Sequence, residues 1–286
     1  MKASKLILFS PFIILLACNS GESTEQNELK TALIFFSSFD GIGTADYAKG
    51  DENMYTASSR QDLDQSTIGM NSPDHAFEKG QGLFGDAFKF TKKSKQVIFY
   101  KSKDNVAYDS KNWSGTVSFW MNLDPSTDLE PGYTDPLQIT DEDYNDAAIW
   151  IDFTDKNPRD LRLGTFGDLT SWNPDNMGSD GNPEFERRLI RAENPPFKKG
   201  EWTHIAFIYS GLGSGNGQTN LYLNGKKIGG LTNIKDPFTW ELDQSKIFVG
   251  LNFVGLMDEI SIYNKALNEK ELTTLYQLKD GVRSLL

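Results

Sequence analysis

The sequence predicts an all-β fold, an antiparallel β-sandwich with a short C-terminal helix, on three observations. Runs of alternating apolar and polar residues recur along the chain, and Gly, Asn, Asp and Pro punctuate them. About 255 residues after the N-terminal stretch show neither an internal repeat nor a shift in composition, which suits one large sandwich domain.

The elements follow in order. Residues 33–39 read as the first strand. Residues 96–100 read as another, flanked by Lys92, Lys93, Lys95, Lys101 and Lys103; these suit edge protection better than a basic binding patch. Residues 116–123 separate an apolar face, Val117, Phe119, Met121 and Leu123, from Thr116, Ser118, Trp120 and Asn122. Residues 147–154 repeat this, with Ala147, Ile149, Ile151 and Phe153 opposed to Ala148, Trp150, Asp152 and Thr154. Asn224-Gly225 fits a two-residue type I′ turn, whose central positions both need positive φ. Asn268 and Glu271 have capping-box spacing and start a helix expected to end near Gly281. Segments 41–82, 124–146 and 167–200 are long for sandwich loops, and the last, with Trp172 and Pro195-Pro196, is the most distinctive.

In the final strand, alternation puts Leu256, Asp258, Ile260 and Ile262 on one face and Met257, Glu259, Ser261 and Tyr263 on the other. Asp258 is then a carboxylate turned toward a core, which must be hydrogen-bonded, paired or metal-bound.

That strand, Trp202-Thr-His-Ile-Ala-Phe-Ile-Tyr and the hairpin Leu221-Tyr-Leu-Asn-Gly-Lys-Lys-Ile resemble the LamG-like jellyroll group of the concanavalin A-like lectin/glucanase superfamily. Phe39-Asp40-Gly41, Gly85-Asp-Ala-Phe-Lys-Phe90 and Thr116-Val-Ser-Phe-Trp-Met121 match in the expected order, from about residue 33 to the C-terminus. The resemblance implies a concanavalin A-like jellyroll over 31–286, and a structural calcium between the first and last strands, held by Asp258 with Asp40 as the candidate from the other end. Oxygen ligands of this kind suit calcium. The alternative for Asp258 is a hub for backbone amides.

Lys2 and Lys5 precede the apolar run 6–16, too short for an ordinary span, which reads as a signal peptide over 1–17. Its end, Leu15-Leu16-Ala17-Cys18, resembles the lipobox of bacterial lipoproteins, which implies lipidation of Cys18 and a cell-envelope location. Asn19, where an aspartate would favour inner-membrane retention in enterobacteria, points to the outer membrane. Cys18 is the single cysteine, so no internal disulfide forms. Residues 18–30, rich in Ser, Glu, Asn and Gln, read as a flexible tether.

The formal charge of −11 becomes −13 once Lys2 and Lys5 leave with the signal, which disfavours nucleic acid and, at long range, anionic polysaccharides. The acidic run from Asp141 to Asp146, with Asp152 eleven residues after Asp141, imitates a calcium loop. It lacks the glycine such a loop needs, because Asp146 stands there, and it runs into a strand. The polar strand faces are the main candidate site: Trp120, Trp150, Asp152, Arg162, His204 and Tyr222 share the non-core parity, with Trp172 and Tyr133 added from loops. Flat aromatics beside fixed donors and acceptors suit sugar rings, although the family resemblance implies framework packing for Trp120, Trp202 and His204.

No Glu-x-Asp-x-x-Glu strand of laminarinase-type hydrolases occurs, nor the arginine-rich, Gln-x-His and tyrosine-rich motifs of alginate-lyase relatives, and only His75 and His204 offer a histidine base. The expectation is therefore a lipid-anchored module that binds a glycan or a surface partner without catalysis. The alternatives are a divergent polysaccharide hydrolase or lyase using Asp152 and loop carboxylates, and a protein-binding or structural adhesion module.

Overall fold

The computed structural model describes residues 23–286; the signal segment, the lipobox and Cys18 lie outside the described residues. Two antiparallel sheets face each other. The nine-stranded sheet runs Lys226–Ile234, Gly217–Leu223, Thr203–Leu212, Trp113–Asn122, Gly255–Tyr263, Leu33–Ser37 and Tyr47–Ala48. Ala87–Phe90 also pairs with the final strand and carries His75–Glu78. The eight-stranded sheet runs Leu189–Ala192, Leu161–Phe166, Ala148–Phe153, Thr134–Thr140, Lys246–Leu251, Val97–Lys101, Tyr55–Ala57 and Thr67–Ile68.

The inward faces form one core. Val117, Phe119, Met121 and Leu123 from one sheet and Ala147, Ile149, Ile151 and Phe153 from the other all lie in it, as their alternation predicts. Full burial of each large apolar side chain stabilises by about 1.5–3 kcal/mol, so this layer dominates folding. The hairpin closes at Asn224 (φ 49°) and Gly225 (φ 72°), the two positive angles that a type I′ turn requires.

A second, smaller core covers the outer face of the nine-stranded sheet. The helix Glu269–Tyr276 carries the expected capping box from Asn268 and Glu271 but ends at Tyr276, short of Gly281. Gly281 instead opens the short helix Val282–Leu285. Residues 24–30, expected as tether, belong to the α-helix Thr24–Ala32, which starts with its own capping box from Ser23 and Gln26. Leu29 and Ala32 anchor it in a buried cluster with Phe36, Tyr222, Leu272, Leu275 and Leu285. A polar composition hid this helix because only two of its side chains carry the packing.

The final strand departs from simple alternation. Asp258 faces Trp120 and Ser261 faces Ser118, so one extra residue sits in between: Glu259, at φ 49°. The bulge turns Asp258 away from Ile260 and Ile262, which are in the main core, and onto the outer face beside Trp120. Asp258 is nevertheless fully buried, because the turn around Leu83 and Phe84 folds over it.

Candidate functional site

The outward face of the eight-stranded sheet holds a cleft of about 670 Å³, walled by the turn at residues 59–61, the strand start at 94–97 and parts of the 167–200 segment. Trp150, Asp152, Arg162 and Tyr133 line it, so four of the eight sequence-derived candidates come together. Trp120, His204 and Tyr222 do not. They lie on the other sheet, under the C-terminal helix, where Trp120 stacks on Tyr276 at 5.8 Å and Tyr222 joins the small core. The parity that groups them with Trp150 holds within each sheet, but in a sandwich the two outward faces point in opposite directions. His204 is buried against Trp120, bonded through Nε2 to Ser118 Oγ at 2.8 Å, and pushed down to about 3 by burial, so it is a neutral framework residue.

Asp152 and Arg162 stand directly opposite each other on neighbouring strands. Arg162 donates from Nε to Asp152 Oδ1 at 2.8 Å and from Nη2 to Oδ2, so both carboxylate oxygens are occupied. Burial alone would lower the Arg162 guanidinium, but the hydrogen bonds and charge of Asp152 outweigh it and raise it. The guanidinium lies 5.0 Å from the Tyr133 ring and 5.6 Å from that of Trp150.

Trp150 is 2% exposed, so it forms wall rather than platform. Its ring stacks on Phe166 at 5.6 Å and its Nε1 donates to Tyr144 O at 2.6 Å. Opposite it is Gly164, where a Cβ would come within 2.3 Å of the indole; only glycine leaves room for the ring to lie across the strand. Trp172 does not line the cleft. It is buried behind Phe185, with Nε1 donating to Asn145 O at 2.9 Å and Arg188 over its ring. The aromatic that remains open is Tyr133, 44% exposed at the mouth.

Asp135 is the residue that alternation misses. Counting back from Gln138, which faces Trp150 on the outward side, puts Asp135 on the inward parity. Ile151 pairs with Leu137 and Phe153 with Thr134, so Asp135 and Pro136 together oppose Asp152 alone. This bulge delivers Asp135 to the cleft beside Asp152. The signal was Pro136, since proline inside a central strand marks a bulge. Gln138, with its amide turned to satisfy both neighbours, donates to Asp135 Oδ2 at 3.2 Å and accepts from Tyr144 N at 3.3 Å. Burial pushes the Asp135 carboxyl up to about 8, and the charge of Asp152 adds to this.

The residues 99–273 match the laminin G-type family model of the concanavalin A-like lectin/glucanases superfamily. The chain belongs to this superfamily. No curated protein matches this superfamily member by sequence. Among solved structures it is similar to domain 4 of the arabinanase AbnA from Geobacillus stearothermophilus, at 21% identity and TM-score 0.53, over 86% of this chain and 100% of that one. A botulinum neurotoxin type C structure is 16% identical at TM-score 0.54, over 91% of this chain. Trypanosoma rangeli sialidase is 16% identical at TM-score 0.51, over 88%. The superfamily domain spans 52% of that neurotoxin chain and 34% of the sialidase chain, and these likenesses establish the fold.

Asp40 and Asp258, the candidate calcium residues of this superfamily member, both grip the turn at residues 82–86. Asp258 Oδ2 accepts from Leu83 N at 2.7 Å and Phe84 N at 3.0 Å, and Asp40 Oδ1 accepts from Asp86 N at 2.7 Å. Asp258 Oδ1 is buried without a partner, an atom that fits a cation. Asp40 fits less well, because Arg283 already lies 2.6 Å from its Oδ2. Among the described residues no group of three or more His, Cys, Asp or Glu is arranged as a metal site, so further ligands would be backbone oxygens. Burial pushes Asp258 up to about 7 against the two amide bonds, with Asp40 adding to the rise.

Proposed function

We propose that this protein is a lipid-anchored carbohydrate-binding module of the cell envelope, taking its sugar in the cleft on the eight-stranded sheet. The observation that carries this reading is the cleft itself: an open tyrosine at its mouth, an indole wall, and a polar floor of Asp135, Gln138 and Arg162 held in fixed positions. Sugar CH faces stack on aromatic rings while their hydroxyls need such donors and acceptors. The likeness to an arabinanase domain seen with arabinotriose supports the reading, as does the likeness to a neurotoxin whose cell entry depends on interaction with two ganglioside molecules. Asp152, with both oxygens held by Arg162, favours binding over hydrolysis by that carboxylate.

The test is glycan binding by wild type and Tyr133→Ala. An exposed ring contributes little to folding, so the variant should keep its melting temperature and lose roughly 0.5–1.5 kcal/mol of binding. Equal retention of a glycan by both proteins would remove Tyr133 from the site.

Two further parts of the proposal have their own support. The lipobox-like Leu15-Leu16-Ala17-Cys18 supports anchoring in the outer membrane, and Cys18→Ser should move the protein out of the membrane fraction. No helix among the described residues is long and apolar enough to cross a membrane. The unpartnered Oδ1 of Asp258 supports a structural calcium near Asp40. Chelation should then lower the melting temperature of wild type but not of Asp258→Asn; a metal at a hundredfold excess over its Kd stabilises by about 2.7 kcal/mol.

A further inference from the structure

Resting on the reading of the cleft as a glycan site, we propose that it selects a sugar bearing a free primary amine, with the Asp135 carboxylate as the counter-ion of the bound ammonium. Asp152 has both oxygens on Arg162, Glu186 lies 3.2 Å from Arg191, and Arg60 lies 3.8 Å from Asp143. Among the described residues Asp135 enters no ion pair, and its hydrogen-bond partner is the neutral amide of Gln138.

A carboxylate at the floor of a cleft, turned there by a bulge and left without a cation, is costly unless a proton or a ligand neutralises it. The charged groups facing it are Asp152 and Arg162 on neighbouring strands, Arg60 from the turn and Asp143 from the acidic loop. Their charges cancel, two against two, which leaves Asp135 as the excess. At the rim Asp180 and Lys95, both exposed, cancel each other. The chain as a whole carries −11, so long-range attraction also favours a cation. Burial and the Asp152 charge raise the empty Asp135 carboxyl, which favours its protonated form. An ammonium in its place displaces that proton.

The experiment compares a glucosamine oligosaccharide with the N-acetylglucosamine oligosaccharide of the same length, titrated into the full chain at pH 5.5, where the sugar amine is already an ammonium. The rings are alike and only the amine is masked. The expected result is a preference of about tenfold or more for the free amine, as for a charge-assisted hydrogen bond. Calorimetry in two buffers of different ionisation enthalpy should show proton release on binding, and Asp135→Asn should abolish both the preference and the release. The wild-type comparison stands whether or not that variant folds. Equal affinities, or a preference for the acetylated sugar, would overturn the amine selectivity and leave the glycan site intact. Binding of neither oligosaccharide, with another neutral glycan bound and weakened by Tyr133→Ala, would do the same. A wild type that binds no glycan at all would remove both proposals.

Discussion

At Trp150 the outward face of the sheet is interior: the ring is enclosed by Phe166, Phe185 and the 167–200 segment, and its Nε1 is bonded. Trp150→Ala should therefore cost about 3–5 kcal/mol in thermal or denaturant unfolding, and a loss below about 1 kcal/mol would restore it as an exposed platform. Gly164 belongs to the same contact. Gly164→Ala should destabilise by about 1–3 kcal/mol, because the new methyl meets the indole across the strand. The Asp152–Arg162 pair is buried on both sides, with side chains 5% and 6% exposed. Removing one partner strands the other's charge, so Arg162→Ala should cost about 3–5 kcal/mol. Replacing both by apolar residues of similar volume should cost much less, and equal losses in the single and double variants would contradict this account.

The helix Thr24–Ala32 is the element whose role changes most between sequence and structure. It packs on the C-terminal helix and, through Leu29, enters the small core that seals the nine-stranded sheet. The two ends of the described chain meet there, with Lys265 bridging Glu28 and Glu271. Leu29→Ala should lower stability by about 2–5 kcal/mol in denaturant unfolding. A chain beginning after Ala32 should lose at least as much, whereas an inert tether would show no change in either experiment. The bulges are the other decisive elements. One extra residue in each of two strands re-aims Asp135 into the cleft and Asp258 toward the turn at residues 82–86.

Across the whole molecule, several carboxyls sit above their ordinary range. Burial pushes Asp141 to about 6, Asp258 to about 7, and Asp135 and Glu259 to about 8. Each has a folded value above its unfolded one, so its stabilising contribution is complete below about pH 4 and is lost as pH rises through 6 to 8. In chelator, the melting temperature should fall between pH 5 and pH 8.5, and Asp258→Asn with Glu259→Gln should flatten that fall. If calcium binds Asp258, it should raise the melting temperature more at pH 8 than at pH 5, because the metal competes with the proton. A melting temperature independent of pH over this range would show that these carboxyls ionise in the folded protein without cost.

The class of fold, the strands at 116–123 and 147–154 with their core faces, the Asn224-Gly225 turn, the capped C-terminal helix and the superfamily were all legible in the amino-acid sequence. These rest on local periodicity and turn chemistry, which a single chain segment expresses without its neighbours. Trp150, Asp152 and Arg162 were legible there too, because parity along one sheet survives folding. Folding assigned each candidate to one outward face of the sandwich, and so separated Trp120, His204 and Tyr222 from the cleft. It alone buried Trp172 and gave the polar residues 24–30 a packed role. The physical reason is the same throughout: alternation assigns a side chain to a face of its own strand, whereas bulges, sheet membership and the covering of a face depend on partners distant in sequence.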